Sequence, residues 1–129
     1  GCPHCGPFAE KLEELSRKYA GRVQVISIVN PPDNDVTVGR FIKAHGLSYP
    51  LVYDCGQAAA SYMMATPQRS RIDIPHVFVI DPEGIIRNDF GYGVLTKGPI
   101  FEGRGLFEEV EKLLGSAAGR GEAKSSPKK

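Results

Sequence analysis

Phe8, Leu12, Leu15 and Tyr19 recur at steps of four, three and four residues, placing them on one stripe of an amphipathic helix that ends at Gly21. The next run, Val23-Gln24-Val25-Ile26-Ser27-Ile28-Val29, is rich in β-branched residues and bounded by Gly21 and by Asn30-Pro31-Pro32, a pattern that predicts a strand buried on both faces. Asp33-Asn34-Asp35 is a capping cluster ahead of Val38, Phe41, Ile42 and His45, a short helix stopped by Gly46. Leu51-Val52-Tyr53 then predicts a short strand, and Gln57 to Met64 a further helix in which Met63 and Met64 serve as core filler. A polar loop from Ala65 to Asp73 leads into the strand Ile74 to Ile80. Asp81-Pro82-Glu83-Gly84 has Pro and Gly where a type I turn wants them, so the strand folds back on Ile85 to Phe90 as an antiparallel hairpin. A Gly- and Pro-rich connection from Gly91 to Gly105 precedes Leu106, Phe107, Val110, Leu113 and Leu114, one stripe of a closing helix. The order helix, strand, helix–strand insert, hairpin, helix points to an α/β fold.

Composition narrows this. With 129 residues the chain has room for one domain, and 41% hydrophobic with 24% charged residues is the balance of an ordinary globule. Its formal charge is +1 and no stretch of the folded region gathers basic residues, which excludes a nucleic-acid backbone as partner. The basic excess sits in residues 116–129, where Arg120, Lys124, Lys128 and Lys129 face Glu122 alone; this segment lacks apolar periodicity and is expected to be a disordered tail beyond a domain at 1–115. The longest apolar run, Val23 to Val29, falls far short of the ~18 residues that cross a bilayer. The chain opens at Gly1 without the charged and apolar regions of a secretory signal, so a leader has been removed or the sequence is a fragment.

Three cysteines cannot make a dense disulfide framework. Two of them form Cys2-Pro3-His4-Cys5, and the third, Cys55, stands apart. Pro3 suits a first helical turn, so Cys2 is expected at the helix N-terminus with Cys5 one turn inside. Unpaired amides and the positive end of the helix dipole there favour a thiolate on Cys2, and a protonated His4 adds to that. A second thiol in the same turn can resolve a mixed disulfide. The competing readings are half of a zinc site, with His4 and Cys55 as further ligands, and an inert pair; neither a second ligand pair nor a buried setting supports them.

The Cys-x-x-Cys at a helix start, the strand after it, the Ile74-Pro75 dipeptide opening the next strand, the Ile-Asp-Pro-Glu-Gly-Ile-Ile hairpin and the closing helix together resemble the thioredoxin-like superfamily, in its TlpA-like group of thiol-disulfide oxidoreductases. The resemblance covers roughly residues 1–115. It implies a mixed central sheet flanked by helices, with Val36 to Met64 as the group's helix–strand insert. It further implies a cis proline at Pro75, with Ile74 and Pro75 lying against the cysteine pair as the substrate-docking edge. Two departures stand out. Only Gly1 precedes Cys2 where the family has a strand, so the central strand is missing, and with it any buried acid that could take the proton from Cys5; a slot in the sheet is expected. His76 stands where Thr is more usual, either as a second titrating group or as a strand histidine without a role.

Pro-His between the cysteines is the dipeptide of periplasmic DsbA-type oxidases, which implies a pair less reducing than thioredoxin. The implied activity is thiol-disulfide exchange by Cys2 and Cys5, tuned by Pro3 and His4, without a cofactor or metal. Its partners would be protein thiols and disulfides and an upstream redox protein, met by a monomer outside the bacterial cytoplasm, with a membrane contact only through an anchor on the missing N-terminal segment. The alternatives are a peroxiredoxin-type thiol peroxidase and a non-enzymatic, metal-binding module of the same fold. Cys55 is expected to be buried beside the strand that ends at Tyr53.

Overall fold

The computed structural model describes residues 2–29, 33–53, 57–68, 72 and 74–125, with backbone alone for Ala59 and residues 116–125. The chain divides into two compact units, Gly1–Pro75 and His76–Lys129. The division falls within the span 1–115 that the sequence predicts as one domain.

In the first unit, α1 (Cys5–Lys18) is followed by β1 (Ser27–Val29), α2 (Asp35–His45), β2 (Leu51–Tyr53) and α3 (Gln57–Tyr62). β1 and β2 pair in parallel, with Ser27, Ile28 and Val29 opposite Leu51, Val52 and Tyr53. α1 buries Phe8, Ala9 and Leu15 from its apolar stripe, and Tyr19 just beyond its end; Val25, Val38, Leu47 and Tyr49 complete this core. Each of the larger aliphatic and Phe side chains among them, fully withdrawn from water, stabilises by about 1.5–3 kcal/mol. α2 has the boundaries its capping cluster predicts. The Asn34 side chain accepts from the Val36 and Thr37 amides at 3.0 and 3.1 Å, Thr37 Oγ1 accepts from the Asn34 amide at 2.9 Å, and the reciprocal box contributes about 1 kcal/mol. The helix stops at Gly46, whose φ of 63° is left-handed and comfortable for glycine.

The strand predicted at Val23 to Val29 is corrected in length and in burial. Among the described residues only its last three residues pair, with β2 alone, and Ile26 and Ile28 are exposed. Met64 is likewise no core filler: α3 ends at Tyr62, and Met64 lies exposed with a left-handed φ of 56°.

In the second unit, β3 (His76–Ile80) and β4 (Ile86–Gly91) form the antiparallel hairpin, and Gly84 N–H closes its turn on the Asp81 carbonyl at 2.9 Å. The Asp81 side chain is fully buried. It accepts from the amides of Glu83 and Ile85 and from Arg87 Nε at 2.6 Å. Burial works against its charge, but these bonds outweigh it and hold the carboxyl below its ordinary range. The Gly- and Pro-rich connection is partly helical. It holds α4 (Val94–Thr96) and a π-helical turn at Lys97–Glu102, because Thr96 Oγ1 accepts from the Gly93 amide at 2.9 Å and donates to the Gly91 carbonyl at 2.6 Å.

The closing helix α5 (Gly105–Ser125) buries Leu106, Phe107 and Val110 with Ile100 and Phe101, and Arg104 lies over the Phe107 ring at 3.8 Å. Where the sequence predicts a disordered tail from residue 116, helical backbone continues to Ser125. Residues 126–129 lie outside the described residues.

The expected mixed α/β architecture is present as two two-stranded sheets, one parallel and one antiparallel. The single mixed sheet that the resemblance implies is not formed among the described residues, and neither β1–β2 nor β3–β4 carries a third strand.

Candidate functional site

Cys2 and Cys5 are joined by a disulfide, their Cα atoms 5.3 Å apart. Pro3 and His4 make the turn between them, and the Cys5 amide closes it on the Cys2 carbonyl at 3.3 Å. Helical geometry starts one turn later than the sequence predicts. His4 is the N-cap, Cys5 is the first residue of α1, and Cys2 stands just before the helix, since an amide bond of 3.3 Å closes a turn without yet propagating the helical ladder. Both sulfurs stay at the positive end of α1, where no acidic residue occupies the first turn to offset the field.

Both cysteines are half-buried, while Pro3 and His4 are exposed. Gly6 follows Cys5 and is buried; Pro7 is exposed, and Phe8 and Ala9 anchor this end of α1 in the core. The Ile74–Pro75 peptide is cis, with Pro75 buried and Ile74 exposed, and both belong to the same unit as the cysteines. Cys55, expected to be buried beside β2, lies outside the described residues.

α2 brings a second titratable group to the cysteine end of α1. The His45 ring fills the space that Gly6 leaves: a Cβ on Gly6 would lie 2.6 Å from Cε1 and 2.8 Å from Nε2. The ring is held from the other edge by Nδ1, 2.6 Å from Glu10 Oε2, and Phe41 packs against it at 4.6 Å between centroids. The sequence already carried a sign of this. His45 continues the apolar stripe Val38, Phe41, Ile42, so an ionisable ring stands on the face α2 turns inward.

A third feature, Glu13, has no such sign, because it sits off the predicted stripe. It is buried on α1. Its carboxylate accepts from the Ser48 amide at 2.7 Å, the Ser48 hydroxyl at 2.6 Å and Arg17 Nε at 2.6 Å. The two bonds from Ser48, then the bond from Arg17, lower its pKa to about 2.

His76, on β3, is in the second unit. Its Nε2 is paired with Asp89 Oδ1, its ring stacks on Phe78 at 4.7 Å, and its Nδ1 is buried without a hydrogen bond. It is thus a half-buried strand residue whose ring is paired across the hairpin. Among the described residues no group of three or more His, Cys, Asp and Glu is placed to hold a metal ion. No helix of the described residues is long and apolar enough to cross a membrane.

Residues 1–89 match the family described as AhpC/TSA. The chain is also 36% identical over 55 residues to a thiol-disulfide oxidoreductase, ResA, of Halalkalibacterium halodurans; the matched stretch covers 43% of this chain and 31% of that protein.

Proposed function

The chain belongs to the AhpC/TSA family, and from that premise we propose that it exchanges thiols and disulfides on protein substrates through Cys2 and Cys5. The observation that carries this is the Cys2–Cys5 disulfide at the positive end of α1, a first turn free of acidic residues. The likeness to a thiol-disulfide oxidoreductase supports it. In the reduced protein the Cys2 thiolate attacks a substrate disulfide. One substrate sulfur leaves as a thiolate and takes up a proton, and a mixed disulfide remains on Cys2. Cys5 then loses its proton and attacks the Cys2 sulfur, so the internal disulfide forms, the second substrate thiol departs, and two electrons have passed to the substrate. The reverse sequence oxidises a dithiol. Pro3 and His4 tune the Cys2 thiolate, and Ile74 with Pro75 offers the docking edge to the incoming chain. The partners on this reading are protein thiols and an upstream redox protein, in a compartment outside the cytoplasm.

The test is turnover. Insulin disulfides in the presence of dithiothreitol should be reduced many times faster than by dithiothreitol alone, while hydrogen peroxide should be consumed no faster than by a free thiol. The opposite pair of outcomes overturns the exchange reading in favour of the peroxidase.

The poise of the pair is a second prediction. A helix end and an adjacent histidine stabilise the thiolate, hence the reduced form, so equilibration with glutathione should give a potential above the ~−270 mV of thioredoxin. A value at or below it would remove Pro3 and His4 from the tuning role.

A further inference from the structure

We propose that His45, oriented by Glu10, is the proton acceptor for Cys5 when the mixed disulfide is resolved; the inference rests on the exchange reading above. Resolution needs a base, since it is the Cys5 thiolate, not the thiol, that attacks. The first turn of α1 carries no acidic residue that could take that proton.

The structure places a different group at that end of α1. Glu10 lies at hydrogen-bond distance from Nδ1 of His45. Facing a carboxylate, Nδ1 carries the ring proton and donates it, which leaves Nε2 as the nitrogen with the lone pair. Nε2 is the edge that lies against Gly6, the residue joined to Cys5 by one peptide bond, and it does so because Gly6 has no side chain. An imidazole with one nitrogen fixed by a carboxylate and the other left with its lone pair beside the residue that follows the nucleophile has the parts of a general base. Of the other titratable groups at this end of the unit, Glu13 is committed to Ser48 and Arg17, and His4 is the exposed N-cap residue, without a side-chain cap bond. From α2 itself the neighbour of the ring is Phe41.

The step balances without any further reagent. The Cys5 S–H bond breaks and its proton goes to Nε2; the Cys5 thiolate forms the bond to the Cys2 sulfur, and the Cys2–substrate bond breaks. The departing substrate thiolate takes the proton from the imidazolium directly or through water. In the reverse direction the imidazolium protonates Cys5 as it leaves the internal disulfide.

Ellman's reagent separates the two events in the full 129-residue chain with Cys55→Ser as the background common to wild type and variants, because one coloured thiolate is then released when Cys2 attacks and a second when Cys5 resolves. In the reduced wild type the second release should follow the first closely and show a pH profile with a histidine-like inflexion. In His45→Gln, which keeps an amide hydrogen bond to Glu10, the ratio of second to first rate should fall at least tenfold at pH 7 and climb steadily with pH, as for an unassisted thiol. Glu10→Gln should lower the same ratio severalfold. A His45→Gln protein whose second release keeps the wild-type rate ratio and pH profile overturns the proposal, and so does a loss in both variants that leaves the histidine-like inflexion in place. Failure of the exchange reading looks different: the wild type's first release would be no faster than that of a free thiol.

Discussion

Cys2→Ser is expected to reduce insulin turnover to the uncatalysed background, a loss of at least a hundredfold, whereas Cys55→Ser should retain activity within about twofold. The asymmetry follows from the site. Cys2 precedes α1, where amide donors and the helix field act on a sulfur without an acidic residue to oppose them, and a serine hydroxyl there has no accessible anionic form to attack a disulfide. Cys5→Ser should behave differently again. Attack by Cys2 still occurs, but the substrate stays attached as a mixed disulfide that survives non-reducing electrophoresis and is released by dithiothreitol. Full turnover by Cys2→Ser would remove the exchange assignment, and turnover lost equally in Cys55→Ser would move the chemistry to a thiol outside the helix end.

How far this site could be foreseen depends on which interactions are local. The Asn34 cap, Gly46 and the Asp81–Gly84 turn are encoded within a few residues of themselves, and each is found where its own residue types require it. β1 failed as a prediction for the complementary reason. A β-branched run states that a strand is possible, but how much of it pairs, and whether both faces are covered, depends on neighbours far away in the chain, and among the described residues only β2 pairs with it. α4 and the π-helical turn were hidden behind Gly and Pro, since the Thr96 hydroxyl that organises them is indistinguishable in sequence from any surface threonine. The pairs His45–Glu10 and Glu13–Ser48 each span 35 residues, and no periodicity of one helix reveals a partner supplied by another segment. What the pattern could show was that His45 shares a face with Val38, Phe41 and Ile42.

The Glu13–Ser48 contact has the largest expected effect on stability. Glu13 is buried on α1, yet charged, and its two bonds from Ser48 tie the helix to the segment between α2 and β2. Its pKa stands at about 2 against an ordinary value of 4.5. The unfolded chain therefore binds the proton more readily than the folded one between these values. The stabilisation is fully present above about pH 5 and is lost as pH falls toward 2. At about 1.4 kcal/mol per unit, the shift corresponds to roughly 3 kcal/mol at neutral pH. Little of it comes from Arg17, whose side chain is 71% exposed and screened by water. Glu13→Gln should accordingly lower the urea-unfolding free energy by about 2–3 kcal/mol at pH 7, and the gap to wild type should close as both proteins approach pH 2. Ser48→Ala, which keeps the amide donor and loses only the hydroxyl, should cost about half as much. Asp81 and Glu109, also held below their ordinary range, titrate in both proteins, so the difference between the two stability curves isolates Glu13. A difference that stays constant from pH 7 to pH 2 would mean that Glu13 stabilises through its shape and packing, and that its charge contributes nothing to holding the redox helix in place.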